Sequence, residues 1–272
     1  MVTKNIEQKV KQGIKRLVIV AGATRGIGKT FADYYSSQKN TEVIGIGRSD
    51  KPRIKKLDLL DETKVNYFVN KLNLKQLKEI IYMHAVGIDK FEPNAKPQFD
   101  LDGDGIDDEV YESNVTAFFN LAEPLVEKVK QIKIPITICN IGSISDIYEV
   151  PFWQSFSKSK NIVRKYLKSI RLKNVKGITF NIGSTLDEEN RKYGRINADT
   201  TYWQTVQELI PKFMGSIERM KSINSNYAEF DFYKHNPTFK QDYFTNLPKL
   251  FALWKKDMNF AGKDIIPLGI KI

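Results

Sequence analysis

The stretch Val18-Ile19-Val20-Ala21-Gly22-Ala23-Thr24-Arg25-Gly26-Ile27-Gly28 decides how this chain reads. An apolar run of strand type ends in a glycine turn, and a helical pattern carrying Phe31, Tyr34 and Tyr35 opens directly behind it. Glycines at i, i+4 and i+6 let the backbone turn sharply and come close to a pyrophosphate. The amino end of the new helix then aims its unpaired N–H groups at that anion. A plain strand-to-helix turn also uses glycine, so the context separates the two readings: this loop stands at the head of a strand–helix series.

That series continues down the chain. Apolar, nearly continuous strands are predicted at 17–22, 42–47, 54–57, 79–84, 134–141 and 177–181, with helical patterns at 26–38, 62–72, 107–129 and 156–172 between them. Such alternation predicts a Rossmann-type α/β fold, a doubly wound parallel sheet with helices on both faces. Its ligand crevice lies at the carboxyl ends of the strands, where the strand order reverses. Residues 1–272 read as one domain. From 184 to 256 the pattern turns helical and rich in aromatics, among them Tyr202, Trp203, Phe213, Tyr227, Phe230 and Phe232, before a last strand predicted at 264–268. This excursion is expected to form a lid over the crevice, with some of its aromatics lining an apolar ligand site.

Composition narrows the classes. The chain has 272 residues, 41% of them hydrophobic, and no apolar run long enough for a membrane span. Its first fifteen residues are basic without an apolar core, which is not the pattern of a signal peptide. Cys139, the single cysteine, sits inside the apolar run Ile136-Thr137-Ile138-Cys139, so a buried inert thiol and a reducing, cytoplasmic setting are expected. The net charge of +11 is spread along the chain. Its densest stretch (Arg164, Lys165, Lys168, Arg171, Lys173) reads as a solvated helix face and not as a nucleic-acid surface. The excess would still attract anionic ligands.

With these motifs in order, the sequence resembles the short-chain dehydrogenase/reductase family over roughly 15–183 and again at 259–269. The run from Ala21 to Gly28 is similar to the Thr-Gly-x-x-x-Gly-x-Gly cofactor loop, with alanine where threonine is usual. Asp58 matches the aspartate that holds the adenine ring. His84-Ala85-Val86-Gly87 stands where Asn-Asn-Ala-Gly is usual, and Ala85 and Gly87 keep its outline. Asn114 matches the helix asparagine that helps hold a proton-relay water, and Ser143 the serine that polarises the substrate oxygen. The resemblance implies an oxidoreductase of small molecules, with Gly22, Thr24, Arg25, Gly26, Ile27, Gly28, Arg48, Ser49, Asp58, Ala85, Gly87 and Lys160 binding the cofactor. It also implies a homo-oligomer, dimer or tetramer, built through the helices at 107–129 and 156–172.

Cofactor choice follows from charge. An acid at the end of the second strand bonds a ribose 2′-hydroxyl and repels a 2′-phosphate. Here that strand ends Gly47-Arg48-Ser49, with Arg25 in the glycine loop, so two guanidinium groups and a hydroxyl favour NADP over NAD. The sharpest departure is catalytic. Thirteen residues beyond Ser143, where the family's Tyr-x-x-x-Lys begins, stands Phe156 in Phe156-Ser157-Lys158-Ser159-Lys160. The lysine is present, and the phenol that protonates a carbonyl is missing. A positioned acid is worth roughly 10²–10⁴-fold in rate, so ordinary carbonyl reduction should suffer. Two readings stay open: a reductase of a partly apolar carbonyl or enone with another proton donor (Tyr148, Tyr193 and Tyr202 being candidates), or a non-catalytic NADP-binding homologue.

Two further features read as structural. Asp100-Leu101-Asp102-Gly103-Asp104-Gly105 imitates the start of a calcium loop, yet its twelfth position is Tyr111 where a bidentate glutamate is needed. Helix capping by Asp102, Asp104 or Asp107 is the better reading. With two histidines (His84 and His235) and one cysteine, no metal site is expected.

Overall fold

The computed structural model describes residues 13–92, 97, 99–148, 152–186, 199–234, 248 and 252. Seven parallel strands form one twisted sheet: β1 (Arg16–Ala21), β2 (Thr41–Gly47), β3 (Ile54–Lys56), β4 (Glu79–His84), β5 (Ile136–Ser143), β6 (Val175–Ile182) and, after a two-residue pairing of β7 (Thr185–Leu186) with β8 (Gln204–Thr205), β9 (Tyr227–Phe232). The order across the main sheet is β3-β2-β1-β4-β5-β6-β9. Its reversal falls between β1 and β4, and the crevice opens there.

The strands are apolar on both faces because both faces are covered. In β1, Val18 and Val20 join one buried layer with Phe31 and Tyr35 of α1 (Gly26–Ser36). Leu17, Ile19 and Ala21 join the other, under α2 (Glu62–Lys71), α4 (Ala117–Ile132) and α6 (Gln154–Ser169). Between β4 and α4 lie a single helical turn, α3 (Asp108–Tyr111), and a π turn over Glu112–Thr116, and α5 (Ile144–Tyr148) follows β5 directly. Asp107 caps α3, its carboxylate accepting from Val110 N, as one of the three capping aspartates expected from the sequence.

Of the stretch 184–256, residues 184–186 and 199–234 are described, together with 248 and 252, and their helix and last strand pack into the sheet. Within it, α7 (Val206–Ser222) is a crossover helix packed on the sheet, and β9 is the seventh strand, parallel to β6 with Phe180 opposite Phe230. Phe213 of α7 stacks on Phe180 with ring centroids 4.2 Å apart and also meets Phe232. These rings are sheet core, where each buries apolar area worth about 2 kcal/mol, and do not line a lid. The strand expected at 264–268, the resemblance at 259–269, Tyr193 and His235 lie outside the described residues, as does the side chain of Tyr148.

Candidate active site

The glycine loop follows β1 and is pinned from both sides. Gly22 N and Ala23 N donate to Ile46 O of β2 at 3.0 and 3.1 Å, and Ala85 N, just past β4, donates to Ala21 O at 3.0 Å. Gly22 has φ +80°, and a Cβ there would stand 2.6 Å from Ala85 O, so neither conformation nor space admits another residue. Gly28, in the first turn of α1, comes against Gly22 O, and Ile27 packs partly buried on the layer below. Thr24 lies against Gly47, and Gly26 opens the helix.

What this loop leaves at its mouth is a positive, hydrogen-bond-hungry surface. The first turn of α1 contains no acid, and its N-cap, Arg25, makes no capping bond with its side chain. By contrast, α2 is capped by Asp61 and α7 by a reciprocal Thr205–Glu208 pair. The first N–H groups of α1 are therefore offered to an anion, which is the requirement of a bound diphosphate. Arg48 and Ser49, directly after β2, are exposed beside the loop, as is Arg25. Lys51, which sequence reasoning passed over, reaches Thr24 O at 3.5 Å and adds a third cation to this rim. Its signal was there in the run Arg48-Ser49-Asp50-Lys51. Asp58, exposed beyond β3, accepts from Leu60 N at 3.1 Å.

Across the crevice, three separated segments converge. A Cβ on Gly87 would come 2.8 Å from Asn114 Oδ1 and 3.1 Å from Lys160 Nζ, so this glycine is what lets the two side chains meet the end of β4. Asn114 sits in the π turn, buried, and is fully committed: its Oδ1 accepts from Ile88 N, and its Nδ2 donates to Ile88 O and Ser159 Oγ, at 2.8, 2.9 and 2.9 Å. The asparagine thus locks the β4 loop to α6. One turn before Lys160, the half-buried Phe156 places its ring 5.5 Å from Nζ, confirming Phe156 and Lys160 as neighbours on one helix face. Lys160 is 5% exposed. Burial brings its ammonium down to about 8, while the carboxylates of Asp146 and Asp89 act against that shift.

Ser143 closes β5. Its Oγ accepts from Ser145 N at 3.1 Å and its N donates to Asp146 Oδ1 at 2.9 Å, so serine and aspartate together start α5. Asp146 then ties this end of the sheet to α6 through Arg164 Nη2 at 2.6 Å. Arg164 also bonds Asn181 Oδ1 at 2.7 Å and pairs with Glu229 at 3.0 Å. This corrects the reading of Arg164 as part of a solvated basic face: it is buried, because the polar side of β6 and β9 lies beneath it. Burial raises the Asp146 carboxyl, and the Arg164 guanidinium works against that rise.

A second buried knot fixes the entrance of α6. Glu92 accepts from Ser155 N at 3.0 Å and from Ser155 Oγ, taking the place of the side-chain cap that Trp153 lacks. Beside it Phe91 packs edge to face on Trp153, 5.6 Å between centroids, and tilted against Phe152, 5.8 Å away. His84 turns away from the crevice into the sheet–helix layer, with Nδ1 2.8 Å from Tyr82 OH and its ring against Phe118. Burial, aided by the charge of Lys160, drives His84 down to about 3. Cys139 is buried and its thiol is pushed far above its usual range, as an inert cysteine should be. Asp100, Asp102 and Asp108 bring carboxylate oxygens within 4.8 Å of one another, and the loop's own N–H groups bond all three.

A seven-stranded parallel sheet with helices on both faces and a glycine loop at its reversal point is a Rossmann-type α/β fold. The sequence profile described as short chain dehydrogenase matches residues 16–185, more than half of the chain, which therefore belongs to that family. Solved structures share the fold at low identity. 4-Hydroxyisoleucine dehydrogenase, complexed with NADH, is 20% identical with a TM-score of 0.62, covering 80% of this chain and 97% of its own. A short chain dehydrogenase from Burkholderia cenocepacia J2315, in complex with NADP, is 16% identical with a TM-score of 0.62, covering 89% and 97%. The aldohexose dehydrogenase of Thermoplasma acidophilum, ligand-free, is 16% identical with a TM-score of 0.64, covering 81% and 94%. No curated protein matches the chain in sequence.

Proposed function

We propose that this chain is an NADP(H)-dependent oxidoreductase of a small, partly apolar carbonyl or enone, working with a proton donor other than tyrosine. The observation that carries the cofactor preference is the rim of the glycine loop. The amino end of α1 carries no acid, Arg48 stands where NAD-binding members place a carboxylate, and Arg25 and Lys51 are beside it. Guanidinium and ammonium groups on an uncapped helix end suit a diphosphate plus a 2′-phosphate. Gly22, Thr24, Arg25, Gly26, Ile27 and Gly28 would hold the diphosphate, Arg48 and Ser49 the 2′-phosphate, Asp58 the adenine, and Ala85, Gly87 and Lys160 the nicotinamide half. The dinucleotide supplies a hydride when bound. The chain's own residues orient the acceptor, with Ser143 at the crevice end of β5, and exclude water with the rings of Phe156, Phe152 and Trp153.

Fluorescence titration with NADPH and NADH tests this. NADPH is expected to bind at micromolar concentration and more tightly than NADH. Arg48→Ala should weaken NADPH by roughly tenfold, the worth of a charged hydrogen bond, and leave NADH unchanged. Absence of NADPH binding up to high micromolar concentration removes the reading.

A further inference from the structure

We infer that Lys160 itself donates the proton to the substrate oxygen, from the crevice position that Phe156 leaves without a hydroxyl. The inference rests on the oxidoreductase reading above and names the donor which that reading left open.

Few of the described groups around the site can release a proton near neutrality. Ser143 Oγ is an alcohol, too weak an acid to release its proton near neutrality, and it accepts from Ser145 N. His84 lies behind the crevice against Tyr82 and is a neutral imidazole above about pH 3, with no imidazolium proton to give. Tyr82 is fully buried, and the Tyr166 phenol is pushed up to about 12 with its ring packed on Phe118 and Phe119. Asn114 has every amide atom committed to the loop and to Ser159. Lys160 is different. Among the described residues no hydrogen bond engages its Nζ, which lies so close to Gly87, just past β4, that a Cβ there would stand 3.1 Å from it.

The charges around it favour a poised ammonium. On β4 the facing group is neutral His84, and on the loop beyond β4 it is the carboxylate of Asp89. From α5 comes Asp146, itself neutralised in part by Arg164 one turn further along α6, while the π turn contributes the uncharged Asn114. Phe156 presents its ring to the cation 5.5 Å away. Two carboxylates keep the ammonium protonated at neutral pH; desolvation, the larger effect, makes that proton easier to release than that of a solvent-exposed lysine.

The step balances. A bound reduced nicotinamide would supply the hydride, with its electron pair, that forms a C–H bond at the carbonyl carbon. The C=O π pair moves to oxygen, the new O–H bond takes a proton as an Nζ–H bond breaks, and a neutral amine is left for water to reprotonate. Reduction therefore needs the charged lysine and alcohol oxidation the neutral one.

Two measurements decide it. In the cofactor-free protein labelled with 13C,15N-lysine, the signal absent from Lys160→Arg, or from Lys160→Met if the arginine variant does not fold, should titrate near pH 8, and the exposed lysines near 10.4. With NADPH and a panel of ketones and quinones, kcat/KM for reduction should be flat below pH 8 and fall tenfold per unit above it. Lys160→Arg should still bind NADPH and lose roughly 100-fold or more in reduction. A lysine titrating above 10, a reduction profile flat through pH 9.5, or full activity in Lys160→Arg overturns the inference. NADPH binding with no carbonyl reduced also overturns it and leaves the cofactor reading standing; failure of NADPH to bind removes that reading itself.

Discussion

Acidification should destabilise this fold through a single histidine. His84 is wholly buried, its ring held between Tyr82 and Phe118, and its pKa drops from 6.5 to about 3. The folded chain thus binds the proton less readily than the unfolded one. Stability is complete above pH 6.5 and is lost as pH falls from 6.5 towards 3. One proton taken up on unfolding costs about 1.4 kcal/mol per pH unit, which integrates to about 2 kcal/mol between pH 7 and pH 5 and about 4 kcal/mol by pH 3. Lys160 adds nothing in this window, since it is protonated in both states below about pH 8. Urea unfolding followed by circular dichroism at pH 7 and pH 5 measures the effect. The His84→Gln variant, whose amide can still meet Tyr82 OH, should lose about 2 kcal/mol less than the parent between the two pH values. If parent and variant lose equal stability to within about 0.5 kcal/mol, burial of a neutral imidazole is not what the site does.

Two further outcomes follow from the same geometry. Phe156→Tyr returns a phenol one helical turn from Lys160, and should raise kcat/KM for ketone reduction roughly tenfold or more over the parent; equal rates would show that the ring position is not where the acid is needed. Arg164→Met leaves the buried Asp146 carboxylate without its guanidinium, which should cost about 3–5 kcal/mol in urea unfolding, whereas a change below about 1 kcal/mol would place the pair in solvent.

The readable parts of this protein were those decided by neighbours in sequence. Residues 79–84 were expected as a strand and are one, because a buried parallel strand needs only a short apolar run. Lys160 follows Phe156 at i+4 and so shares its helix face whatever else the chain does. The strand Tyr227–Phe232 was missed for a physical reason. Tyr227–Phe232 alternates Glu229 and Asp231 with Phe230 and Phe232, and its acids are explained only by Asn181, Arg164 and Lys168 on the polar side of β6 and α6.

By itself, then, the amino-acid order specified a glycine turn entering a helix, a parallel sheet, and a lysine without its tyrosine. All of these are set by backbone sterics and side-chain periodicity within a few residues. The burial of Arg164 against Asp146 and Glu229, the sealing of His84 at low proton affinity, and the meeting of Gly87, Asn114 and Lys160 were decided only in three dimensions. Each depends on groups tens of residues apart that desolvate one another, and desolvation is a property of the packed interior, not of the local chain.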